Sequence, residues 1–289
     1  MTKAAIVYLI KGHPSEILEM SLRSLDRYFN KRFNYPVYIF HEECSKQELI
    51  RSWSSSTIEF IQLPDYLKLP NYEGLSVDQV ERWSRGEDGG RASFGLGYRQ
   101  MCRFFLYGLF MHPKMANLDY YWRFDDDSYL TEEVTYDPFA VMEQNGLIYG
   151  YRTVEAENVR ECLGLDLLWN EVKSFAKKEH LSRRHLNRLV ANWKGKYKGF
   201  NYYNNFEINK VSFWRNHKLY QHFFNTLDQT LGFYKYRWGD ANVRAMSVGL
   251  FLKPNQVHHF KDIGYRHNDH YAIPGGDKVI YSKSGSPFS

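Results

Sequence analysis

Cysteine is scarce in this chain: Cys44, Cys102 and Cys162 are the only three in 289 residues, far apart and without a CxxC pair. That excludes a disulfide-stapled module and a cysteine-built zinc site. Three reduced thiols, or one disulfide with one free thiol, remain. No run of about 18 apolar residues occurs, so no segment reads as a membrane span. Met1-Thr2-Lys3 leads into a strand pattern rather than a signal peptide, and the chain as it stands is expected to be soluble and cytoplasmic. Neither GxGxxG nor a P-loop spacing is present, although Ser84 to Gly97 is rich in glycine. A large excess of charge is missing too. The formal net charge of +5 is too small to imply nucleic acid but suits an anionic ligand such as a nucleotide diphosphate.

Aromatic residues, in contrast, make up 17%, with 23 tyrosines. Most belong to a core, and the surplus suits stacking on sugars or bases. The length allows one large domain or two small ones. The expectation is a single domain over 1–289 with an insertion.

The most informative stretch is Tyr120-Tyr121-Trp122-Arg123-Phe124, a buried-strand pattern that stops at Asp125-Asp126-Asp127. At a strand end with period two, Asp125 and Asp127 project to one side and Asp126 to the other. Paired carboxylates repel and hold a proton unless a cation or hydrogen bonds compensate them. A hard, oxygen-liganded metal answers that need; a solvated acidic turn is the plain alternative. An EF-hand is disfavoured, because Tyr129 stands where a ligand is wanted and Leu130 where glycine is needed.

In chain order, Ala4 to Ile10 reads as a buried strand. A helix opens after Ser15, with Ile17, Leu18, Leu22, Leu25 and Phe29 at helical spacing. Pro36 to Phe40 and Thr57 to Leu63 are further strands, separated by a short helix around Lys46 to Trp53. Strands alternating with helices predict an α/β fold: a mostly parallel, Rossmann-type sheet flanked by helices, with ligands at the carboxyl ends of its strands. Ser84 to Gly97 reads as a mobile loop, either a linker or a lid, before a helix beginning at Tyr98. Asp137 to Gln144 suggests a helix, Gly146 to Tyr151 a strand, and Gln256 to Tyr265 a strand-like segment flanked by His258, His259 and His267. Between Lys173 and Lys198 lie nine Lys or Arg. This is a basic helical insertion: a solvated helix face, or a surface for an acidic glycan, a membrane or a partner.

Several motifs then recur together: Tyr98-Arg-Gln-Met-Cys-Arg103, Tyr-Tyr-Trp-Arg before the acids, Asn205-Phe-Glu207-Ile, Phe213-Trp-Arg, Arg237-Trp-Gly-Asp240-Ala and Asp262-Ile-Gly-Tyr-Arg-His267. In this order they make the chain resemble, from about Ala4 to His267, the fungal Golgi α-1,2-mannosyltransferases, glycosyltransferase family fifteen. The resemblance implies a GT-A-like fold. It further implies mannose transfer from GDP-mannose to a mannose-containing glycan acceptor, with Mn²⁺ and retention of anomeric configuration. A nucleotide-sugar half over about 1–130 and an acceptor and catalytic half over about 131–289 would follow.

By matched position, Asp125 falls where the family has the Glu of Glu-Pro-Asp, Asp126 on its Pro, and Asp127 on its final Asp. Asp is a methylene shorter than Glu, so the coordination shell or metal preference is expected to differ while carboxylate chemistry survives. His267 matches the family's histidine ligand. Glu207 matches the carboxylate placed near the anomeric carbon, Tyr98 a tyrosine close to the reacting groups, and Asp240 an acid of the acceptor region. Lys11, Arg103 and Asp125 are assigned to the donor; Arg237, Trp238 and Asp240 to the acceptor. The fungal enzymes carry an anchor and stem, so the Golgi lumen is the expected compartment if the sequence is a fragment. The rivals are a transferase of the same fold with another sugar nucleotide or acceptor, and a non-catalytic glycan-binding module.

Overall fold

The structure, a computed structural model, describes residues 2–276 and 279–281. Its centre is a seven-stranded sheet built from β1 (Ala4–Ile10), β2 (Val37–His41), β3 (Ile58–Gln62), β4 (Tyr120–Phe124), β6 (Tyr149–Tyr151), β9 (Phe206–Lys210) and β10 (Val257–His259), ordered β10-β6-β9-β4-β1-β2-β3. β4, β1, β2 and β3 run parallel, as do β10 and β6; β9 lies antiparallel between β4 and β6. The mostly parallel sheet expected from the sequence is therefore present. A strand covered on both faces needs apolar side chains at nearly every position, which is why Ala4–Ile10 and Tyr120–Phe124 lack polar alternation.

A second sheet, β13-β12-β11-β5, is antiparallel and consists of β5 (Ser128–Leu130), β11 (Tyr265–His267), β12 (His270–Ala272) and β13 (Val279–Tyr281). Its pairing of Ser128 with His267 carries the histidine to the acidic turn. β7 (Val154–Ala156) and β8 (Phe200–Tyr202) form a small ribbon. The segment read as one strand-like stretch from Gln256 to Tyr265 is split between two sheets, because the turn around Asp262 and Gly264 reverses the chain.

Helix Glu16–Leu25 starts where expected: the Ser15 hydroxyl accepts from the Leu18 amide at 3.1 Å, a side-chain cap. Its buried row is Leu18, Leu22 and Leu25, continued by Phe29 in the π-helical turn Asp26–Asn30, whereas Ile17 is half exposed and not part of that face. Helix Leu96–Arg103 leads through Phe110 into the core beneath β4. The glycine-rich stretch is anchored at its C-terminal part. Arg99, buried, donates to the carbonyls of Arg91, Phe94 and Tyr234, so the loop closes around one guanidinium.

Candidate active site

The acidic turn sits where β4 ends. β4 stops at Phe124, and Ser128 returns its amide to the Asp125 carbonyl at 3.0 Å while the Asp125 amide donates to the Ser128 hydroxyl at 3.2 Å. The convergence of Asp125 and Asp127 is thus made by a tight turn, not by strand alternation, which corrects the expectation drawn from period two. The turn is held from below. The Tyr265 hydroxyl donates to Asn205 Oδ1 at 2.8 Å and shares a 2.7 Å bond with Ser128 Oγ, which also lies 3.4 Å from His267 Nδ1.

Asp125, Asp127 and His267 each present a ligand atom, all within 4.8 Å of one another. His267 Nδ1 lies 3.0 Å from Asp127 Oδ1. Burial pushes the Asp127 carboxyl up, but the His267 hydrogen bond and charge, with backbone and Asn268 donors, bring it below the usual carboxylate range. Asp126 moves the other way: burial, then the charges of Asp127 and Asp125, push it up to about 6, opposed by Lys11. Lys11, exposed at the end of β1, therefore lies on the acidic side of the turn. At the next residue the loop passes so close to the chain after β2 that a Cβ on Gly12, at φ +95°, would fall 1.4 Å from the Glu43 carbonyl oxygen.

Two carboxylates and an imidazole on one point are a donor set for a borderline or hard divalent cation such as Mn²⁺. Arg123 fixes one of them. Its Nε donates to Asp125 Oδ1 at 2.8 Å and its Nη1 to Asp240 Oδ2 at 2.6 Å, with the guanidinium carbon 3.5 Å from the Phe105 ring centre. Asp240 opens helix Asp240–Phe251 and also accepts from Asn204 Nδ2 at 2.9 Å.

Beside Asp240, Tyr98 stacks on Phe94 with ring centres 4.5 Å apart, and the Arg237 guanidinium lies over both rings. The Cys102 thiol, burial and the Asp240 carboxylate push the Tyr98 hydroxyl far up, so it stays protonated and able to donate. Arg237 has φ +53° and a buried Nε without a hydrogen-bond partner.

Three assignments read differently in three dimensions. Glu207 is fully buried on β9 opposite Arg123; it accepts from the Tyr121 hydroxyl at 3.0 Å and from Arg244 Nε at 3.1 Å. It has no surface that a sugar could touch in this conformation. Trp238, 2% exposed, donates its indole N–H to the Gly164 carbonyl at 2.8 Å and packs on Gly232, so it is a core residue. Arg103 is engaged by the Asp228 carboxylate at 2.6 and 2.7 Å and lines a separate cavity of about 370 Å³ with Gln62, Asp65 and Tyr66. His258 and His259 lie on β10 at the sheet edge. Arg123 and Arg244 carried no role in the sequence reading. The signal for Arg123 was a cation inside a strand of four aromatics, where a charge must find a partner.

The sequence matches, over residues 1–286, the family described as glycolipid 2-alpha-mannosyltransferase. The chain belongs to that family. An O-glycoside alpha-1,2-mannosyltransferase homolog of Schizosaccharomyces pombe is 32% identical over 306 residues, covering 92% of this chain and 69% of the relative. The Saccharomyces cerevisiae glycolipid 2-alpha-mannosyltransferase is 30% identical over 98% of this chain and 64% of its own length. The chain thus spans about two thirds of these relatives. Core-mannan synthase A of Aspergillus fumigatus, solved in its Mn/GDP form, superposes with a TM-score of 0.83 at 28% identity, covering 100% of this chain and 82% of that one. The S. cerevisiae mannosyltransferase Ktr4p gives 0.81 at 24% identity, covering 99% and 76%, and agrees in fold. The GT-A-like architecture expected of a glycolipid 2-alpha-mannosyltransferase is the one seen. Among the described residues no helix is long and apolar enough to cross a membrane.

Proposed function

We propose that the chain is a retaining α-1,2-mannosyltransferase that moves mannose from GDP-mannose to a mannose-containing glycan acceptor with the help of a divalent metal. The observation that carries this reading is the Asp125–Asp127–His267 group at the carboxyl end of β4, in a chain of this family. The chain's likeness to α-1,2-mannosyltransferases of two yeasts and to core-mannan synthase A in its Mn/GDP form supports it.

Asp125, Asp127 and His267 would hold Mn²⁺ against the donor diphosphate. When bound, the cation supplies Lewis-acid neutralisation of the charge that the departing diphosphate acquires. Lys11, exposed, adds a positive charge on the same side of the turn. Arg123 orients the Asp125 carboxylate and, through Asp240, ties the donor region, about 1–130, to the acceptor region that follows. Tyr98 offers a protonated hydroxyl and a stacked ring, and the Arg237 guanidinium lies over that ring; together they form a polar, aromatic wall suited to a sugar. Glu207, locked between Arg244 and Tyr121, acts as a positioning residue that sustains negative potential behind Arg123 and does not itself attack.

Of the two expected compartments, cytoplasm and Golgi lumen, fractionation of the source decides. The activity is tested by incubating the chain with Mn²⁺ and a panel of nucleotide sugars, with and without mannosides, and following nucleotide diphosphate release. GDP release that rises with an α-mannoside supports the proposal. Release from another sugar nucleotide in preference would replace the donor, and glycan binding without release would make the chain a binding module.

A further inference from the structure

Between Lys173 and Lys198 nine Lys or Arg face a single acid, Glu179, while the whole chain carries only +5. The positive charge of the protein is therefore concentrated in this stretch, and the remainder is net negative. The stretch is also firmly built. Helix Arg184–Val190 buries Leu186 and Val190, and Gly249 of helix Asp240–Phe251 lets it approach so closely that a Cβ there would fall 2.8 Å from Leu186 Cα. Arg184 and Arg188, one turn apart, are exposed on the opposite side.

Beyond Ala191 the chain reverses tightly. Asn192 Oδ1 accepts from the amides of Lys194 and Lys196 at 2.9 and 3.1 Å, and the Lys198 amide returns to the Val190 carbonyl at 3.0 Å. Trp169 Nε1 donates to the Gly195 carbonyl at 3.0 Å, and Asn242 Nδ2 donates to the Tyr197 hydroxyl at 2.9 Å. Tyr197 faces the core, so Lys196 and Lys198 on either side of it face out. At the tip stands Trp193, 89% exposed, with the Lys194 ammonium 4.6 Å from the ring centre.

We propose that this surface docks the protein onto an anionic phospholipid bilayer, with Trp193 at the headgroup boundary and Arg184, Arg188, Lys194, Lys196 and Lys198 over the lipid phosphates. Charge complementarity selects an anionic partner, and the shape selects a bilayer. A tryptophan on a projecting, hydrogen-bonded turn flanked by lysines suits a planar interface that it can enter. Lysine stems can lie along such an interface while their heads reach the phosphates. Asn242 follows Asp240 by two residues on the same helix, so docking fixes how the candidate centre faces the membrane.

The test is cosedimentation of the full chain with vesicles of phosphatidylcholine alone and of phosphatidylcholine with phosphatidylserine, at low and high salt. Binding to the phosphatidylserine vesicles that salt weakens is expected, with little on phosphatidylcholine alone. Trp193→Ala should lower partitioning about tenfold, as expected for withdrawing a large apolar side chain from an interface. Each of Lys194→Ala and Lys196→Ala should lower it roughly fivefold. All three sites are exposed, and circular dichroism checks that the variants stay folded. Equal binding to both vesicle types, or wild-type partitioning by Trp193→Ala, overturns the proposal. So does a sulfated polysaccharide that binds as tightly and depends on Trp193 as strongly, which would assign the surface to an acidic glycan.

Discussion

Arg123 and Asp240 are joined by a 2.6 Å hydrogen bond between side chains only 2% and 6% exposed. Because the same guanidinium grips Asp125, one cation links a residue of the metal group to the first residue of the helix that packs under the basic surface. Removing a single partner from such a buried set leaves charge without compensation. Arg123→Met is therefore expected to lower unfolding free energy by about 3–5 kcal/mol, read by denaturant titration. Arg123→Lys should fold yet lose activity, since one ammonium cannot hold both carboxylates in a planar fork. A fully active Arg123→Lys enzyme would mean that Asp125 needs no such orientation.

Metal dependence is the second prediction. GDP binding, measured by calorimetry, should be lost in EDTA and restored by Mn²⁺, because Asp125 and Asp127 otherwise face the diphosphate as bare carboxylates. Asp127→Asn should weaken Mn²⁺ binding by at least about tenfold with little change in fold. Unchanged GDP affinity in EDTA would remove the metal from the donor site.

Glu207→Gln separates a buried counter-ion from an attacking group. Arg244 is as inaccessible as Glu207, so neutralising the carboxylate should cost about 3 kcal/mol of stability while GDP affinity stays near wild type. Arg244→Gln should destabilise to a similar extent, and the double variant by less than the sum of the two, because it leaves no unpaired charge. Full stability of Glu207→Gln combined with a turnover lost by powers of ten would instead make Glu207 a residue that contacts the sugar.

Asp126 provides a pH test. Its carboxyl is raised to about 6 by burial and by its two neighbours. A group whose folded value lies above the unfolded one, near 4, contributes stability that is complete below the unfolded value and lost as pH climbs through 6. Metal-free Asp126→Asn should therefore be more stable than wild type at pH 7, by about 2 kcal/mol at most given the partial exposure of the group. The difference should close towards pH 4 and shrink when Mn²⁺ offsets the negative charge. Thermal unfolding at the two pH values, with and without metal, measures it; a constant difference across pH would show that Asp126 does not titrate as described.

Much of this protein was legible in its sequence. The order of strands along the first half, the Ser15 cap and the end of β4 at the acids follow from local rules: apolar runs for strands covered on both faces, hydroxyls at helix starts, and carboxylates where a strand leaves the core. Asp125, Asp127 and His267 were named together through a resemblance in motif order, and the fold brings their ligand atoms to one point.

Only the tertiary structure decided which charged residues are partners. Nothing local to Arg123 points to Asp240, 117 residues away, or pairs Arg244 with Glu207. Those pairings arise because β9 inserts antiparallel beside β4 and helix Asp240–Phe251 crosses beneath it. The same packing turned Trp238 into core, gave Arg103 to Asp228, and made the meeting of Asp125 with Asp127 a property of a turn held by Tyr265 rather than of strand alternation. Sequence fixes which side chains can carry charge or bury area. The burial of long-range neighbours decides which of those charges must pair, since an isolated one cannot remain in a low-dielectric core.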